Sequence, residues 1–221
     1  MPPQSYNTYN PNNLQPSSPA PRPVITEDTK NIIYTVALFI LSPFFAVLMI
    51  LFIFQSYVVD GSSMESTLQD GNRVFILKLP KTFSGLRGKQ YVPSRGEVVV
   101  FKKPSDPGIQ LIKRVIGLPG DRVVVKNNKI TVYNTDQPSG FNPDSDNLYA
   151  NDLDITVGDV DVNVGENELF VVGDNRSPGG SLDSRNGLGL VPTQNVVGRL
   201  WIRYFPLNEI RLFSILQQTH P

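Results

Sequence analysis

The chain has 221 residues, enough for one domain with an appended segment, and its apolar content of 40% is ordinary for a folded protein. Its 20 basic and 20 acidic side chains balance, so no net field favours a nucleic-acid partner. The absence of cysteine excludes a thiol protease, a disulfide framework and a thiolate metal site. The one histidine, His220, lies next to the C-terminus, which argues against a histidine-based catalytic triad. A hydrolase would therefore need lysine or a carboxylate as its base.

The N-terminal part of the chain predicts a disordered tail followed by a membrane anchor. Residues 1–29 are dominated by Pro, Asn, Ser, Gln and Tyr and have little to bury. Residues 32–54 are an uncharged apolar run that would span roughly 34 Å as a helix, so we predict a transmembrane helix over residues 30–56, with a kink at Pro43. The alternative, a cleavable signal sequence, fits less well because its apolar core usually has only ~7–15 residues and follows a basic cluster.

The charges around this helix predict its orientation. Arg22 and Lys30 precede the helix, offset by Glu27 and Asp28, whereas no Lys or Arg follows it before Arg73. Basic residues favour the cytoplasmic side of a membrane. We therefore expect a single-pass protein of the cell membrane with a cytoplasmic N-terminus and an extracytoplasmic main domain.

The chain beyond the anchor predicts a mainly β fold, an antiparallel β-rich domain over residues 57–133 and 169–213 followed by a tail over residues 214–221. Short runs rich in Val, Ile and Phe, separated by Pro and Gly, are typical of strands. They cover residues 73–78, 96–101, 110–116, 122–126, 129–133, 168–172 and 196–204. Asn127-Asn128 suits a tight hairpin between two of these strands.

Residues 134–168 differ in composition and predict an inserted acidic subdomain or long loop. The segment has nine carboxylates and no Lys or Arg. Two alternating runs, residues 153–157 and 160–164, predict a small hairpin around Gly158-Asp159. The carboxylate spacing lacks the pattern of an EF-hand, so a solvated acidic face is expected here rather than a calcium site.

Three motifs follow the anchor in a fixed order. Asp60-Gly61-Ser62-Ser63-Met64-Glu65-Ser66-Thr67-Leu68 comes first, Lys113-Arg114-Val115-Ile116-Gly117 lies fifty residues further on, and Gly173-Asp174-Asn175-Arg176 precedes Ser181-Leu182-Asp183-Ser184-Arg185. Together these segments resemble the bacterial type I signal peptidases, over residues 57–203 apart from the acidic insertion. The resemblance implies a membrane-bound serine endopeptidase that removes signal peptides from exported preproteins, without a metal or cofactor.

The resemblance assigns the nucleophile to Ser63 and the general base to Lys113. A serine hydroxyl is a weak nucleophile near neutral pH and needs an adjacent base, and a lysine can serve if burial disfavours its charged form. Lys113 lies in an apolar strand, where it and Arg114 point to opposite faces, so one is expected to be buried while the other reaches solvent or pairs. Without the flanking motifs, Lys113 would be interpreted as a surface charge and Ser63 as a turn residue or a helix cap.

Other residues are assigned supporting roles by the same resemblance. The backbone N–H of Ser63 is expected to bind the oxyanion, but many relatives have a second serine where this chain has Gly61, so the Ser62 hydroxyl or the Gly61 amide would have to replace it. Ser181 matches the serine that hydrogen-bonds the catalytic lysine. Asp174 is expected to support the site, and Asp183 and Arg185 match a structural ion pair, the alternative being an ordinary surface bridge. Ser66 stands where the family usually has proline.

Signal peptides end in small residues at the first and third positions before the cut, which implies two shallow apolar pockets. Tyr57, Val59, Met64 and Ile112 are the candidates by alignment, although each could simply belong to the core. The expected partners are signal peptides and the lipid bilayer, and the enzyme is expected to be monomeric.

Three other kinds of protein compete with this interpretation. A membrane-anchored β-module without activity would have Ser63 and Lys113 as relics, and a reactive-serine probe would distinguish it. A self-cleaving repressor-type peptidase shares the Ser and Lys arrangement but does not explain the membrane span. An intramembrane aspartyl protease needs carboxylates within its spans, and residues 32–59 have none.

Overall fold

The computed structural model describes residue 1, residues 3–4, residues 26–144 and residues 155–213. Most of the predicted N-terminal tail and all of the tail predicted over residues 214–221 lie outside these ranges. Two compact units are present, residues 1–44 and residues 45–221. In its described part the first unit is mainly helical, and the second contains the end of the same helix and all the described strands.

The helix α1 (Glu27–Phe52) is the one described helix long and apolar enough to cross a membrane, with a mean hydropathy of 2.4 over Glu27–Ile50. Two acidic residues in its first turn, Glu27 and Asp28, suit the positive end of the helix dipole. Pro43 lies inside α1 without ending it. The helix ends earlier than the predicted anchor, because Phe54–Val58 forms strand β1 instead of a further helical turn.

In its described part the second unit contains two antiparallel sheets, as the strand pattern predicted. An eight-stranded sheet has the order β1-β2-β10-β3-β4-β8-β9, with β11 paired to β10, and a three-stranded sheet has the order β6-β5-β7. The strands are β1 (Phe54–Val58), β2 (Arg73–Leu77), β3 (Val98–Lys103), β4 (Asp106–Gly117), β5 (Arg122–Lys126), β6 (Lys129–Tyr133), β7 (Val160–Asn163), β8 (Glu168–Val172), β9 (Val191–Pro192), β10 (Val196–Phe205) and β11 (Arg211–Leu212). A short helix, α2 (Leu79–Leu86), follows β2.

The hairpin predicted at Asn127-Asn128 is confirmed. Both residues have positive φ angles, 52° and 60°, which asparagine tolerates well and which a type I′ turn requires. The turn sets the register of β5 and β6, which pair Lys126 with Lys129 beside it.

The hairpin predicted around Gly158-Asp159 is wrong in its pairing. Strand β7 pairs with β5, not with the run before Gly158, and residues 155–157 form no strand. Residues 153–154 of that run lie outside the described residues. The apolar alternation of β7 therefore serves the three-stranded sheet, where Val160 and Val162 pack against a core that includes Val125.

Three clusters of buried side chains fill the second unit. One of them lies under the serine motif and joins Met64 and Leu68, both without exposed surface, to Val74 and Ile76 of β2. This packing holds the chain on either side of the serine motif's turn against the sheet.

Candidate active site

Ser63 and Lys113 meet in the structure. Ser63 lies in the turn after β1, and Lys113 lies in β4 with only 3% of its surface exposed. Lys113 Nζ donates to Ser63 Oγ over 2.7 Å and to the Ile112 carbonyl over 2.8 Å. A serine and a lysine fifty residues apart in sequence are thus within hydrogen-bond distance.

Burial lowers the pKa of Lys113 from the ordinary lysine value to about 8, although the carboxylates of Asp183 and Asp174 act in the opposite direction. Desolvation disfavours the ammonium because the charged form loses its hydration. About a tenth of the amine is therefore neutral at pH 7, and about half at pH 8. That form can accept a proton from a serine hydroxyl.

The Gly173-Asp174-Asn175 segment holds the backbone of the serine motif. The Asn175 backbone N–H donates to the Ser63 carbonyl over 3.1 Å, and its side-chain amide donates to the Ser62 carbonyl over 3.3 Å. A Cβ atom on Gly173 would collide with the Ser63 carbonyl oxygen and the Ser181 hydroxyl. Only glycine allows these two segments to approach so closely.

Asp183 and Arg185 form the expected ion pair, with Arg185 Nη2 2.8 Å from Asp183 Oδ2 and both side chains almost fully buried. Asp183 also accepts the Gly173 backbone N–H over 3.0 Å. Burial by itself would raise the pKa of Asp183, but the hydrogen bonds and charge of Arg185 outweigh it and lower the pKa. The pair is therefore a buried support under the Gly173 segment, not a surface bridge.

A second buried pair was not predicted. Arg114 binds Asp174 through two hydrogen bonds of 2.8 and 2.5 Å, and it also donates to the Gly96 carbonyl and to Thr67. Asp174 was expected to support the site, but its partner was not named. Of Lys113 and Arg114, one was expected to be buried and the other to reach solvent or to pair; both are at most 3% exposed, and Arg114 is the one that pairs. A carboxylate on the Gly173 segment makes the burial of Arg114 possible.

A third buried pair joins the acidic insertion to the site. Arg176 donates to both carboxylate oxygens of Asp144, over 2.7 and 3.1 Å, to Thr156 over 2.8 Å and to the Gly173 carbonyl over 2.8 Å. The prediction of a wholly solvated acidic face is wrong for Asp144, whose side chain is 2% exposed. The arginine in the Gly-Asp-Asn-Arg motif was the available signal, since a buried arginine requires an acidic partner.

Two groups were proposed as the second oxyanion donor, the Gly61 amide and the Ser62 hydroxyl, and the Gly61 amide already has a hydrogen-bond acceptor. It donates to Asp70 Oδ1 over 2.8 Å, so it does not point at a bound substrate in this conformation. Ser62 is exposed. Ser181 is buried beside Gly173, and its hydroxyl has no hydrogen-bond partner in the described part of the chain. The expected bond from Ser181 to the lysine amine is therefore absent, since that amine donates to Ser63 and Ile112.

Ser66 has a φ angle of +81°, in the left-handed region. Proline, which the family resemblance leads one to expect at this place, is fixed near −65° and cannot adopt that angle. The turn between Ser63 and Thr67 therefore follows a path in this chain that proline would not allow.

The four pocket candidates lie together in one core cluster but differ in exposure. Met64 has no exposed surface and Val59 has 5%, whereas Tyr57 and Ile112 are partly exposed. Tyr57 donates its hydroxyl to Gln110 over 2.6 Å. Of these four candidates, Tyr57 and Ile112 are the two whose side chains have surface available for contact with a peptide.

A serine hydroxyl beside a buried lysine amine, on an antiparallel β scaffold, is the arrangement that a serine hydrolase with a lysine base would need. The family model for signal peptidase, peptidase S26, matches residues 32–205. Signal peptidase I of Bacillus licheniformis is 34% identical over 167 residues, covering 75% of this chain and 84% of the relative. Signal peptidase I S of Bacillus subtilis is 36% identical over 168 residues, covering 72% and 82%.

A crystal structure of a signal peptidase I from Enterococcus faecalis matches with a TM-score of 0.38 and 28% identity, covering 49% of this chain and 97% of that one. On the family match and the curated relatives, the chain belongs to the signal peptidase family, peptidase S26, and is a serine endopeptidase. Its apolar N-terminal helix fits a single-pass membrane protein.

Proposed function

We propose that the protein removes N-terminal signal peptides from exported preproteins, with Ser63 as nucleophile and Lys113 as general base. The observation that carries the proposal is the 2.7 Å contact between Ser63 Oγ and the buried Lys113 Nζ. Signal-peptide removal is consistent with the names of the curated relatives.

The proposed reaction has two halves. The neutral Lys113 amine takes the proton of the Ser63 hydroxyl as Oγ attacks the scissile carbonyl carbon, and the resulting ammonium gives that proton to the leaving amine when the C–N bond breaks. The product amine is the new N-terminus of the mature protein. Lys113 then takes a proton from water, which attacks the Ser63 ester, and the signal peptide leaves as a carboxylate while Ser63 regains its proton.

The oxyanion of each tetrahedral intermediate needs hydrogen-bond donors. We assign one to the Ser63 backbone N–H, which has no other acceptor in the described part of the chain. We assign the role of second oxyanion donor to the Ser62 hydroxyl, because Ser62 is exposed and the Gly61 amide is bound to Asp70.

Specificity for small residues at the first and third positions before the cut is assigned to the surface around Tyr57 and Ile112. Both side chains are partly exposed and pack on the cluster that includes Val59 and Met64. Because the buried side chains of Val59 and Met64 lie beneath Tyr57 and Ile112, a pocket at this surface would have little depth for a large substrate side chain. Shallow apolar sites of this kind favour alanine-sized residues.

Membrane anchoring is assigned to α1, with the N-terminus cytoplasmic and the catalytic domain outside. Exposed apolar side chains on and after β10 support contact of the catalytic domain with the bilayer. They are Phe205, Leu207, Ile210 and Leu212. The proposed enzyme acts as a monomer.

The proposal is tested by incubating the purified full-length protein, in detergent or vesicles, with a preprotein and mapping the cut by mass spectrometry. We expect one cut, after a small-x-small sequence, and no cut with Ser63→Ala. A fluorophosphonate-type serine probe applied in parallel would label Ser63 in an active enzyme. Cleavage elsewhere, or cleavage by the Ser63→Ala protein, would contradict the proposal.

A further inference from the structure

The charge of this neutral chain is unevenly distributed. Residues 71–96 contain six Lys or Arg and no Asp or Glu, whereas residues 134–168 contain nine carboxylates and no Lys or Arg. We call residues 71–96 the basic segment. It includes α2 and the loop that leads to β3.

Helix α2 begins where the apolar helix α1 ends. The Lys78 backbone N–H donates to the Ile53 carbonyl over 2.8 Å, and the Thr82 hydroxyl donates to the Phe52 carbonyl over 3.3 Å. Both acceptors lie at the last residues of α1 or directly after it. If α1 spans the bilayer, these bonds fix the start of α2 at the level where the bilayer meets water.

The first half of α2 is attached to the sheet and the second half is exposed. Lys81 donates to the Gln194 carbonyl over 3.1 Å and to the Val196 carbonyl, which holds the helix against the start of β10. Beyond this point Phe83 and Leu86, one helical turn apart, are 54% and 79% exposed. Two large apolar side chains thus share one face with nothing described in the chain to cover them.

Exposed cations flank this apolar face. Arg87 and Lys89 lie one and three residues after Leu86, are exposed, and make no ion pair among the described residues. Apolar side chains flanked by unpaired cations match a membrane surface that carries anionic headgroups, because the side chains enter the acyl boundary while the cations stay at phosphate level.

We propose that the basic segment is a second membrane contact, specific for anionic phospholipid, in which Phe83 and Leu86 enter the interface and Arg87 and Lys89 bind the headgroups. This contact goes beyond the proposed peptidase reaction but rests on the proposed anchoring by α1. It would hold the catalytic unit at a point distinct from α1 and from the apolar side chains on and after β10.

The chain has no cysteine, so a single introduced cysteine gives a unique site for a label. We would label Leu86→Cys with a fluorophore that responds to polarity, and as a control Lys129→Cys, an exposed position on β6. The full-length proteins are reconstituted in vesicles of phosphatidylcholine alone or with about a third phosphatidylglycerol. Quenching by a lipid-borne quencher then reports contact with the bilayer.

We expect the label at residue 86 to be quenched in vesicles with phosphatidylglycerol, much less so in phosphatidylcholine, and the label at residue 129 in neither. The ratio of embedded to exposed label should fall about five-fold for each of Arg87→Gln and Lys89→Gln, equivalent to about 1 kcal/mol per cation. The matched double variant Lys126→Gln/Lys129→Gln should keep the ratio of the parent Leu86→Cys protein. High salt should weaken the quenching because it screens exposed charges.

Equal quenching in both kinds of vesicle, or no quenching at residue 86, would overturn the proposal. Quenching or polarity change that grows with the protein-to-lipid ratio would also overturn it, since a second copy offering its acidic residues 134–168 would then be the occupant. Flotation distinguishes loss of the contact at residue 86 from failure of the anchor. A protein that does not float with vesicles lacks the anchor, and one that floats with an unquenched label lacks only the contact made by the basic segment. Preprotein cleavage, measured separately, reports on the proposed peptidase activity.

Discussion

Lys113 and Arg114 are neighbours on β4, both almost fully buried, and their surroundings differ. Arg114 is held by two hydrogen bonds to Asp174 and further bonds to Gly96 and Thr67. Lys113 has a hydroxyl and a carbonyl as its partners, and no ion pair in the part of the chain that the structure describes. The charge of Arg114 is therefore neutralised by pairing, whereas Lys113 is left to lose its proton.

The contrast shows how one strand can bury two cations for different purposes. A guanidinium, with a pKa above ~12, cannot give up its charge in a protein and so requires a carboxylate. An amine can be neutral, and a buried site without a close carboxylate lowers its pKa, here to about 8. Asp174 pairs with Arg114 and no carboxylate pairs with Lys113 in the described part of the chain, which keeps Arg114 charged and favours the neutral form of Lys113.

The largest effect is expected at the reactive pair. Ser63→Ala and Lys113→Ala should each reduce kcat for preprotein cleavage by at least about three orders of magnitude, because the two groups act as a unit. Lys113→Arg should fail equally, since a guanidinium cannot act as a base near neutral pH. An unchanged cooperative melt is the control for folding. Cleavage retained by Ser63→Ala would place the nucleophile elsewhere, and cleavage retained by either Lys113 variant would place the base elsewhere.

The next effect is on stability, at the neighbouring cation. Asp174→Asn leaves the Arg114 guanidinium buried without a negative partner, which should lower the free energy of unfolding by about 3–5 kcal/mol. The matched control is Asp161→Asn, which breaks the exposed bridge to Arg122 and should leave Tm unchanged. Denaturant unfolding of both variants tests the difference. Similar losses of unfolding free energy in the two variants would show that burial does not determine how much the Arg114–Asp174 pair contributes to stability.

The pH dependence of the reaction separates lysine from carboxylate as the base. With the pKa of Lys113 at about 8, kcat/KM should rise with pH and level off above about 8, and at pH 7 it should be about a tenth of the plateau. A carboxylate base would give an acid limb near ~4–5. Asp183→Asn is the comparison variant. An acid limb below ~5 that disappears in Asp183→Asn would reject Lys113.

The same pKa shift predicts how stability depends on pH. Between about pH 8 and the ordinary lysine value, the unfolded chain keeps the Lys113 proton and the folded chain has lost it, so the unfolded state binds more protons and stability rises with pH. Lys113→Met, which has no charge to desolvate, should lack this rise. Subtracting the stability curve of Lys113→Met from that of the parent removes the contributions of other titratable groups. One of these is Tyr91, whose pKa is raised by burial. Parallel curves would mean that Lys113 is not shifted.

The smallest effect on stability is expected in the turn between Ser63, which contacts Lys113, and Thr67, which contacts Arg114. Ser66 lies between Ser63 and Thr67 with φ at +81°, an angle that costs a non-glycine residue free energy. Ser66→Gly should raise the free energy of unfolding by up to about 1 kcal/mol. Ser66→Pro, the residue usual in the family, should lower it. Thermal melts of the two variants give the signs, and stabilisation by proline would show that the turn can take another path.

Much of the β architecture could be predicted from the sequence because the strands repeat simple patterns. The bounds of β5, β6 and β8 agree with the predicted ones. Strand β1 was missed because its residues continue the apolar run of the anchor, and periodicity does not separate a helix end from a strand. The partner of β7 was missed because local alternation indicates a strand without saying which strand it joins.

The candidate site was predictable to the extent that motif chemistry decides it. Ser63 and Lys113 were selected by residue type and neighbours, and the structure places them in contact. The partners of Arg114 and Arg176 could not be predicted, because Asp174 lies 60 residues and Asp144 32 residues away in sequence. The role of the Gly61 amide depends on Asp70, which no spacing rule connects to it.

Arg176 also has a consequence for the evolution and engineering of the acidic insertion. Its guanidinium binds both Asp144 and Thr156, so one side chain holds together two residues that are 12 positions apart in sequence. Doubling the length of a closed loop costs only about 0.6 kcal/mol in chain entropy. A change in the number of residues between Asp144 and Thr156 is therefore expected to cost little while Arg176 keeps its bonds to both of them and to the Gly173 carbonyl.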